Sequence, residues 1–465
     1  MLLKLRTLPL QLLALSIVPL SAATAATAAS GPALDAAVRQ RAELLVRNGG
    51  NASIVIAVTD GKNSAVYGFG RAQADSNTVP DADTVYEIGS VTKTMTGLLL
   101  ADAVVTGKAR LDQPVVDLLP GYTIPTFEGQ QITLLDLATH FSGLPRLPAN
   151  LAPADMSNPY AEYGDAQLRT FLASHALAHR PGTVFEYSNL GYGLLGTALA
   201  TQAGTSYENL LQEKIARPLG LRSTSTTATP AMRIRLAQGH LSDGKLAHNW
   251  DFQAIAPAGA VYSDARDMLI YLQSYMNKSS AAQQLAVQPQ KSIEKGNGTR
   301  IGLAWIIDQA KGQPYAWHNG QTGGYASFAG YTLNGKRGVI ILSSTANDVD
   351  GLGLASLVPG TLPALKKPTP LPKEIAIAPS ELAQYAGDYT LAPNFILTVR
   401  QGPDGLLVGA TGQGEAPVYA SAKDRFFYKA VDAQLEFKRD GKGVITGLVL
   451  KQDGQTMPAQ RKPQA

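Results

Sequence analysis

The chain has 465 residues, of which 45% are hydrophobic and only 16% charged. That is long for one compact domain and too apolar for a disordered chain, so two domains with a large buried core are expected. The formal charge is +4 and there is no cysteine, which excludes disulfides, thiol catalysis, thiolate metal sites and a cysteine-linked lipid anchor, and offers no broad positive field for nucleic acid or an anionic membrane.

Residues 1–6 form a short basic start with Lys4 and Arg6, and residues 8–20 form an apolar run about as long as a signal h-region and too short to span a bilayer. Small residues at A-x-A spacing follow in residues 21–30. Residues 1–28 are therefore expected to be a cleaved export signal, leaving a periplasmic or secreted protein with no stable membrane span and a charge near +2.

Residues 33–47 have helical periodicity, and residues 53–58 and 65–69 read as an antiparallel strand pair turned at Asp60-Gly61. Helical patterns recur after Ser90, after Leu190 and over 263–275, and another strand pair is expected at 327–331 and 338–343. A sheet drawn from both ends of a segment with helices between is an α+β design. Five prolines between Pro359 and Pro372 exclude a helix or central strand there, so residues 359–375 are expected to link a domain at 31–358 to a second at 376–465. In that second domain six or more short strands, at Tyr389, 395–399, 406–408, 425–428, 434–437 and 444–450, with Asp-Gly turns at 404–405, 440–441 and 453–454, point to a small antiparallel barrel.

Three motifs in the first domain carry chemistry. Ser90-Val91-Thr92-Lys93 opens a run in which Val91, Met95, Leu98, Ala101 and Val105 keep an apolar helical face. Residues three apart on a first helical turn lie side by side, so the Lys93 amine can reach the Ser90 hydroxyl, and the helix start supplies N–H groups for an oxyanion. The same spacing at Ser292 and Lys295 lies in a polar, glycine-containing stretch and is read as surface loop. Tyr187-Ser188-Asn189 supplies a second base candidate and an amide, following Pro181-Gly182 and preceding a new helix. The similar Tyr275-Met276-Asn277 ends an amphipathic helix, where Tyr275 is expected to pack. The ordinary pKa values of tyrosine and lysine are too high for a base at neutral pH, and burial with mutual charge is what can lower one of them. The third motif, His318-Asn319-Gly320-Gln321, precedes a strand, and its glycine lets a backbone edge approach a substrate and offer an N–H.

In this order and spacing the three motifs resemble those of the penicillin-recognising serine hydrolases, class C β-lactamases with their DD-peptidase and esterase relatives. Tyr86-Glu87-Ile88-Gly89, residues 137–145 and Arg217-Pro218-Leu219-Gly220-Leu221 extend the resemblance over about residues 33–358. Tyr385-Ala386-Gly387-Asp388-Tyr389 resembles the small lipocalin-like barrel that such enzymes often carry.

The resemblance implies a β-lactamase/DD-peptidase-like antiparallel sheet flanked by helices, with an all-helical lobe. It implies that Ser90 is acylated, that Lys93 and Tyr187 share the proton work as a coupled pair, and that Asn189 holds a substrate amide. The N–H groups of Ser90 and Gln321 would bind the oxyanion, with His318, Asn319 and Gly320 on the substrate's carboxylate side. Class C enzymes usually have lysine where this chain has His318, a residue mostly neutral at pH 7. The implied function is an exported β-lactamase. The alternatives are a DD-carboxypeptidase or endopeptidase on peptidoglycan, a D-aminopeptidase or carboxylesterase, and a receptor that is acylated without turnover. The partner is then a small β-lactam or a D-alanine-terminated peptide or ester, and no cofactor is implied. His175 and His179 have the spacing of a two-histidine metal site on a helix, but with no further ligand nearby they are read as a solvated face and no metal is assigned. His140 is expected to order its own loop.

Overall fold

The computed structural model describes residues 31–462 except 278–279, 294–297, 365–371, 393–394, 403–404, 411–414, 430–432 and 453–454. The expected signal, the centre of the expected linker and the turn at 453–454 lie outside the described residues.

An eight-stranded antiparallel sheet organises residues 31–358. Its strands are β1 (Ser53–Thr59), β2 (Ser64–Gly70), β3 (Lys291–Ser292), β4 (Arg300–Ile301), β5 (Ile306–Ala310), β6 (Gln313–Gln321), β7 (Ala326–Thr332) and β8 (Gly338–Ser343). They lie in the order β2-β1-β8-β7-β6-β5-β4-β3. The first hairpin thus meets the last strand, as expected from the sequence, with Ile54 opposite Ser343 and Val58 opposite Val339. Asp60 makes the β1–β2 turn by accepting from the backbone N–H groups of Lys62 and Asn63 at 2.9 and 2.8 Å.

Period-two alternation splits the buried strands between two cores. Ile54, Ile56 and Val58 point to α1 (Ala36–Arg47) and the late helix Asp350–Leu357, meeting Val38, Ala42 and Leu352. Val55 and Ala57 face the larger core, which holds α2 (Thr92–Val105), α3 (Asn189–Ala203) and α4 (Ala265–Met276). α2 and α3 are apolar around most of their circumference because each is enclosed on nearly all sides. α4 begins two residues later than the periodicity implied: Tyr262–Asp264 is extended, pairs with Val85–Glu87, and Asp264 caps the helix through the Asp267 N–H.

Residues 387–461 close into a barrel of eight antiparallel strands: β9 (Gly387–Ala392), β10 (Phe395–Gly402), β11 (Gly405–Ala410), β12 (Glu415–Ala422), β13 (Arg425–Tyr428), β14 (Ala433–Arg439), β15 (Ile445–Gln452) and β16 (Gln455–Arg461). Six were expected from alternation, and β12 and β16 are the additions. Each contains a proline, Pro417 or Pro458, which argues against a strand when read alone. Tyr385, Tyr389, Phe426 and Phe437 fill one end, where the Tyr385 hydroxyl donates to Asp424 at 2.9 Å.

Candidate active site

Ser90 sits at a sharp entry into α2. Ile88 is tied to Val261 by a 2.9 Å backbone bond, Gly89 takes φ +49°, and a 3-10 turn over Gly89–Val91 leads into the helix. The glycine is required twice over, since a Cβ there would also stand 2.6 Å from the Gln321 nitrogen. Ser90 keeps some exposure, whereas Lys93 is fully buried. The Lys93 Nζ lies 2.9 Å from Ser90 Oγ, 2.8 Å from Asn189 Oδ1 and 2.7 Å from the Ala258 carbonyl. Burial holds its pKa well below the ordinary lysine value, and the Arg146 charge adds to the effect. A neutral amine has two hydrogens and one lone pair. In that form the two amide-type oxygens, which can only accept, would take both hydrogens and leave the lone pair for the Ser90 hydroxyl; in the protonated form Nζ donates to Ser90 Oγ as well.

Tyr187 is placed by the loop holding His140, a residue at φ +63°. The His140 carbonyl accepts from Glu186 N–H at 2.8 Å, and its Nδ1 accepts from Ser188 N–H at 3.0 Å. Ser188 then caps α3 through the Gly191 N–H and donates to the Pro145 carbonyl. The Tyr187 ring stacks on His140 at 4.3 Å, with Lys93 Nζ 4.9 Å and Arg146 Cζ 5.2 Å from its centroid. Burial pushes its phenol up to about 12, against the opposing influence of the Ser90 hydroxyl and Arg146. The two base candidates are therefore displaced in opposite senses, the lysine toward neutrality and the phenol toward retaining its proton. Asn189 presents its carbonyl oxygen to Lys93, and its backbone N–H donates to the Arg146 carbonyl at 3.0 Å.

The facing wall is the end of β6. His318 is buried, with Nδ1 2.6 Å from the Asn319 carbonyl. A carbonyl can only accept, so Nδ1 carries the hydrogen and Nε2 the lone pair; Nε2 has no partner among the described residues. Burial, reinforced by the Lys93 charge, pushes His318 down to about 3, so the ring is neutral. Asn319 does not share this face. Successive strand residues alternate, and its amide turns to the other side to donate to Asp350 at 2.7 Å, which corrects the expectation that His318 and Asn319 face the substrate together. A Cβ on Gly320 would stand 2.0 Å from the Ile88 carbonyl oxygen, so β6 passes directly against the Ser90 turn. Thr322 N–H bonds to the Tyr325 carbonyl, which makes the Gln321–Ala326 pair the non-hydrogen-bonded kind. The Gln321 N–H thus points away from β7, toward Gly89. Its side chain leaves the cleft and donates to the Ala346 carbonyl at 2.9 Å.

A family model described as Beta-lactamase matches residues 34–357. The chain belongs to this family. A second model, a domain of unknown function (DUF3471), matches residues 371–461. Among curated relatives, the D-alanyl-D-alanine-carboxypeptidase/endopeptidase AmpH of Escherichia coli (strain K12) is 31% identical over 312 residues, 63% of this chain and 79% of that protein. A Beta-lactamase of the same organism is 29% identical, over 56% of this chain and 75% of its own. Among solved structures, a beta-lactamase/D-alanine carboxypeptidase from Yersinia pestis is similar at TM-score 0.57 and 26% identity, covering 66% of this chain and 93% of that one. An octameric penicillin-binding protein homologue from Pyrococcus abyssi shares the fold over 91% of this chain and 99% of its own, at TM-score 0.62 and 20% identity. These similarities make the chain a serine hydrolase of the β-lactamase and penicillin-binding-protein type.

Three residues around this β-lactamase-family site were not assigned to it from sequence. Glu87 is buried and its Oε1 accepts from Asn249 Nδ2 at 2.7 Å, Trp250 N–H at 3.1 Å and the Tyr262 hydroxyl at 3.2 Å. It binds the loop beside Gly323 to the segment leading into Ser90. Arg146 overhangs Tyr187, and His140 supports the same ring besides ordering its loop. Glu87 had a signal in its place in the stretch before Ser90 and His140 in the stretch 137–145, whereas Arg146 had none. The helix expected to carry both His175 and His179 ends at Ser174. His175 is extended and stacks on Phe171, so the two histidines do not share a helical face. Tyr275 packs against Trp305 and Tyr331, and Ser292 is exposed on a two-residue strand. No helix among the described residues is long and apolar enough to cross a membrane.

Proposed function

We propose that this serine hydrolase forms an acyl-enzyme on Ser90 and hydrolyses D-alanyl peptides in the manner of a DD-peptidase, with β-lactams as pseudo-substrates. The observation that carries the reading is the three-way seating of Lys93 Nζ on Ser90, Asn189 and Ala258. Ser90 Oγ attacks the scissile carbonyl while its proton passes to the Lys93 amine. The oxyanion develops between the N–H groups of Ser90 and Gln321, and Tyr187 protonates the departing amine. Water then reverses the sequence on the ester. The AmpH similarity supports the peptide substrate. β-Lactamase turnover is the second reading, favoured by the relatives named for it. The export pattern at residues 1–28 supports action outside the cytoplasm.

The test is D-alanine release from a D-alanyl-D-alanine peptide, beside penicillin hydrolysis. Ser90-dependent D-alanine release with slow penicillin turnover supports the peptidase. Rapid penicillin turnover without D-alanine release replaces it with the β-lactamase.

A further inference from the structure

Two basic side chains bear on the Ser90 cleft, and they are not equivalent. Lys93 is buried and its nitrogen is saturated by Ser90, Asn189 and Ala258. Arg146 is exposed, and its guanidinium lies 5.2 Å from the centroid of the Tyr187 ring. Among the described residues it makes no ion pair and no side-chain hydrogen bond; the carboxylate beside Tyr187 in sequence, Glu186, instead feels His179. The base of the Arg146 side chain is fixed, because its carbonyl accepts from the backbone N–H groups of Asn189 and Leu190 at 3.0 and 3.3 Å. The opposite wall offers no cation, since the Nδ1–H of His318 is committed to Asn319 and the Asn319 amide to Asp350.

We propose that Arg146 is a specificity-determining residue that binds a carboxylate on the acyl part of the substrate, on the Asn189 side of Ser90. Exposed and lacking an acidic partner, its planar guanidinium can present two parallel N–H groups to a carboxylate at little desolvation cost. Its attachment to Asn189 places it on the acyl side rather than along β6. The inference rests on the Ser90 acyl-enzyme reading and adds to it a preference in substrate charge.

The test uses two p-nitrophenyl esters with equal acyl chains, one ending in a carboxylate too far along the chain to reach its own ester, the other in the corresponding methyl ester. The readout is the ratio of their kcat/KM values in wild type, Arg146→Gln, Arg146→Lys and Arg146→Glu. Because Arg146 also acts on the Tyr187 phenol, single rates can change for either substrate, and the ratio removes that common effect. We expect Arg146→Gln to lower the preference for the anionic ester about tenfold, mainly through KM, Arg146→Lys to restore part of it, and Arg146→Glu to lower it further. A ratio unmoved by all three, with Ser90-dependent turnover of both esters, overturns the Arg146 assignment alone. Turnover that survives Ser90→Ala, or none of either ester, overturns the acyl-enzyme reading and this inference with it.

Discussion

Gly320→Ala is the smallest change that separates the two walls of the cleft. The new Cβ would lie 2.0 Å from the Ile88 carbonyl oxygen and 2.5 Å from Ser327 Oγ. An ordinary carbon–oxygen contact is about 3.3 Å, so β6 must retreat from the Ser90 turn by about 1 Å or more. That movement breaks the 2.8 Å bond from Ser327 Oγ to Ile88 and draws the Gln321 N–H away from Ser90. Losing one oxyanion donor, or misplacing it by about 1 Å, costs about a hundredfold in rate. Overpacking of this kind costs about 1–3 kcal/mol in stability. The assay is kcat of a chromogenic ester with urea unfolding on the same preparations, and Gly441→Ala, whose Cβ meets nothing within 4 Å, serves as control. A folded Gly320→Ala enzyme with kcat within about threefold of wild type would refute the placement of the oxyanion donors.

Burial and Asp348 raise the Asp350 carboxyl to about 7. The folded state keeps a proton that the unfolded state releases near 4, so stability falls as pH rises through that window. Asp350→Asn should gain about 1–2 kcal/mol over wild type at pH 8 and lose that advantage near pH 4; an equal difference at both pH values in thermal melts would count against it. His318 behaves oppositely: its folded pKa is depressed to about 3, so the unfolded chain gains a proton first and stability is lost as pH falls below the unfolded histidine range. His318→Gln should flatten the acid limb of a stability–pH curve between about 6.5 and 4 by up to about 1.4 kcal/mol per pH unit, and an unchanged limb would show that His318 does not titrate this way. Glu87→Ala, which strands three hydrogen-bond donors, should cost about 2–4 kcal/mol and at least about tenfold in kcat, with Glu87→Gln milder in both. Equal effects of the two substitutions, measured by urea unfolding and ester turnover, would deny Glu87 its positioning role.

Much of the scaffold was legible because its signals are local. The β1–β2 hairpin has its Asp-Gly turn, and α2 its apolar face. The strand nearest the site was not legible: the motif was expected to precede the strand at 327–331, and only the strand Gln313–Gln321 that carries it sets His318 and Asn319 on opposite faces. The helix expected to reach His179 ends at Ser174, with no glycine or proline beside it to mark the end before Pro181. The partners of Glu87 lie more than 160 residues away, and the stacking of His140 on Tyr187 depends on how two loops fold together, so neither is encoded in any local pattern. β12 and β16 were hidden by prolines that a closed barrel accommodates.

The central claim is that Ser90 is the nucleophile, and intact-mass spectrometry of the protein mixed with a penicillin tests it most directly. Wild type should gain an adduct with the mass of the whole drug, cleared at a rate that measures deacylation, and Ser90→Ala should gain none. An adduct that persists unchanged in Ser90→Ala, or ester turnover that does not depend on Ser90, would contradict it.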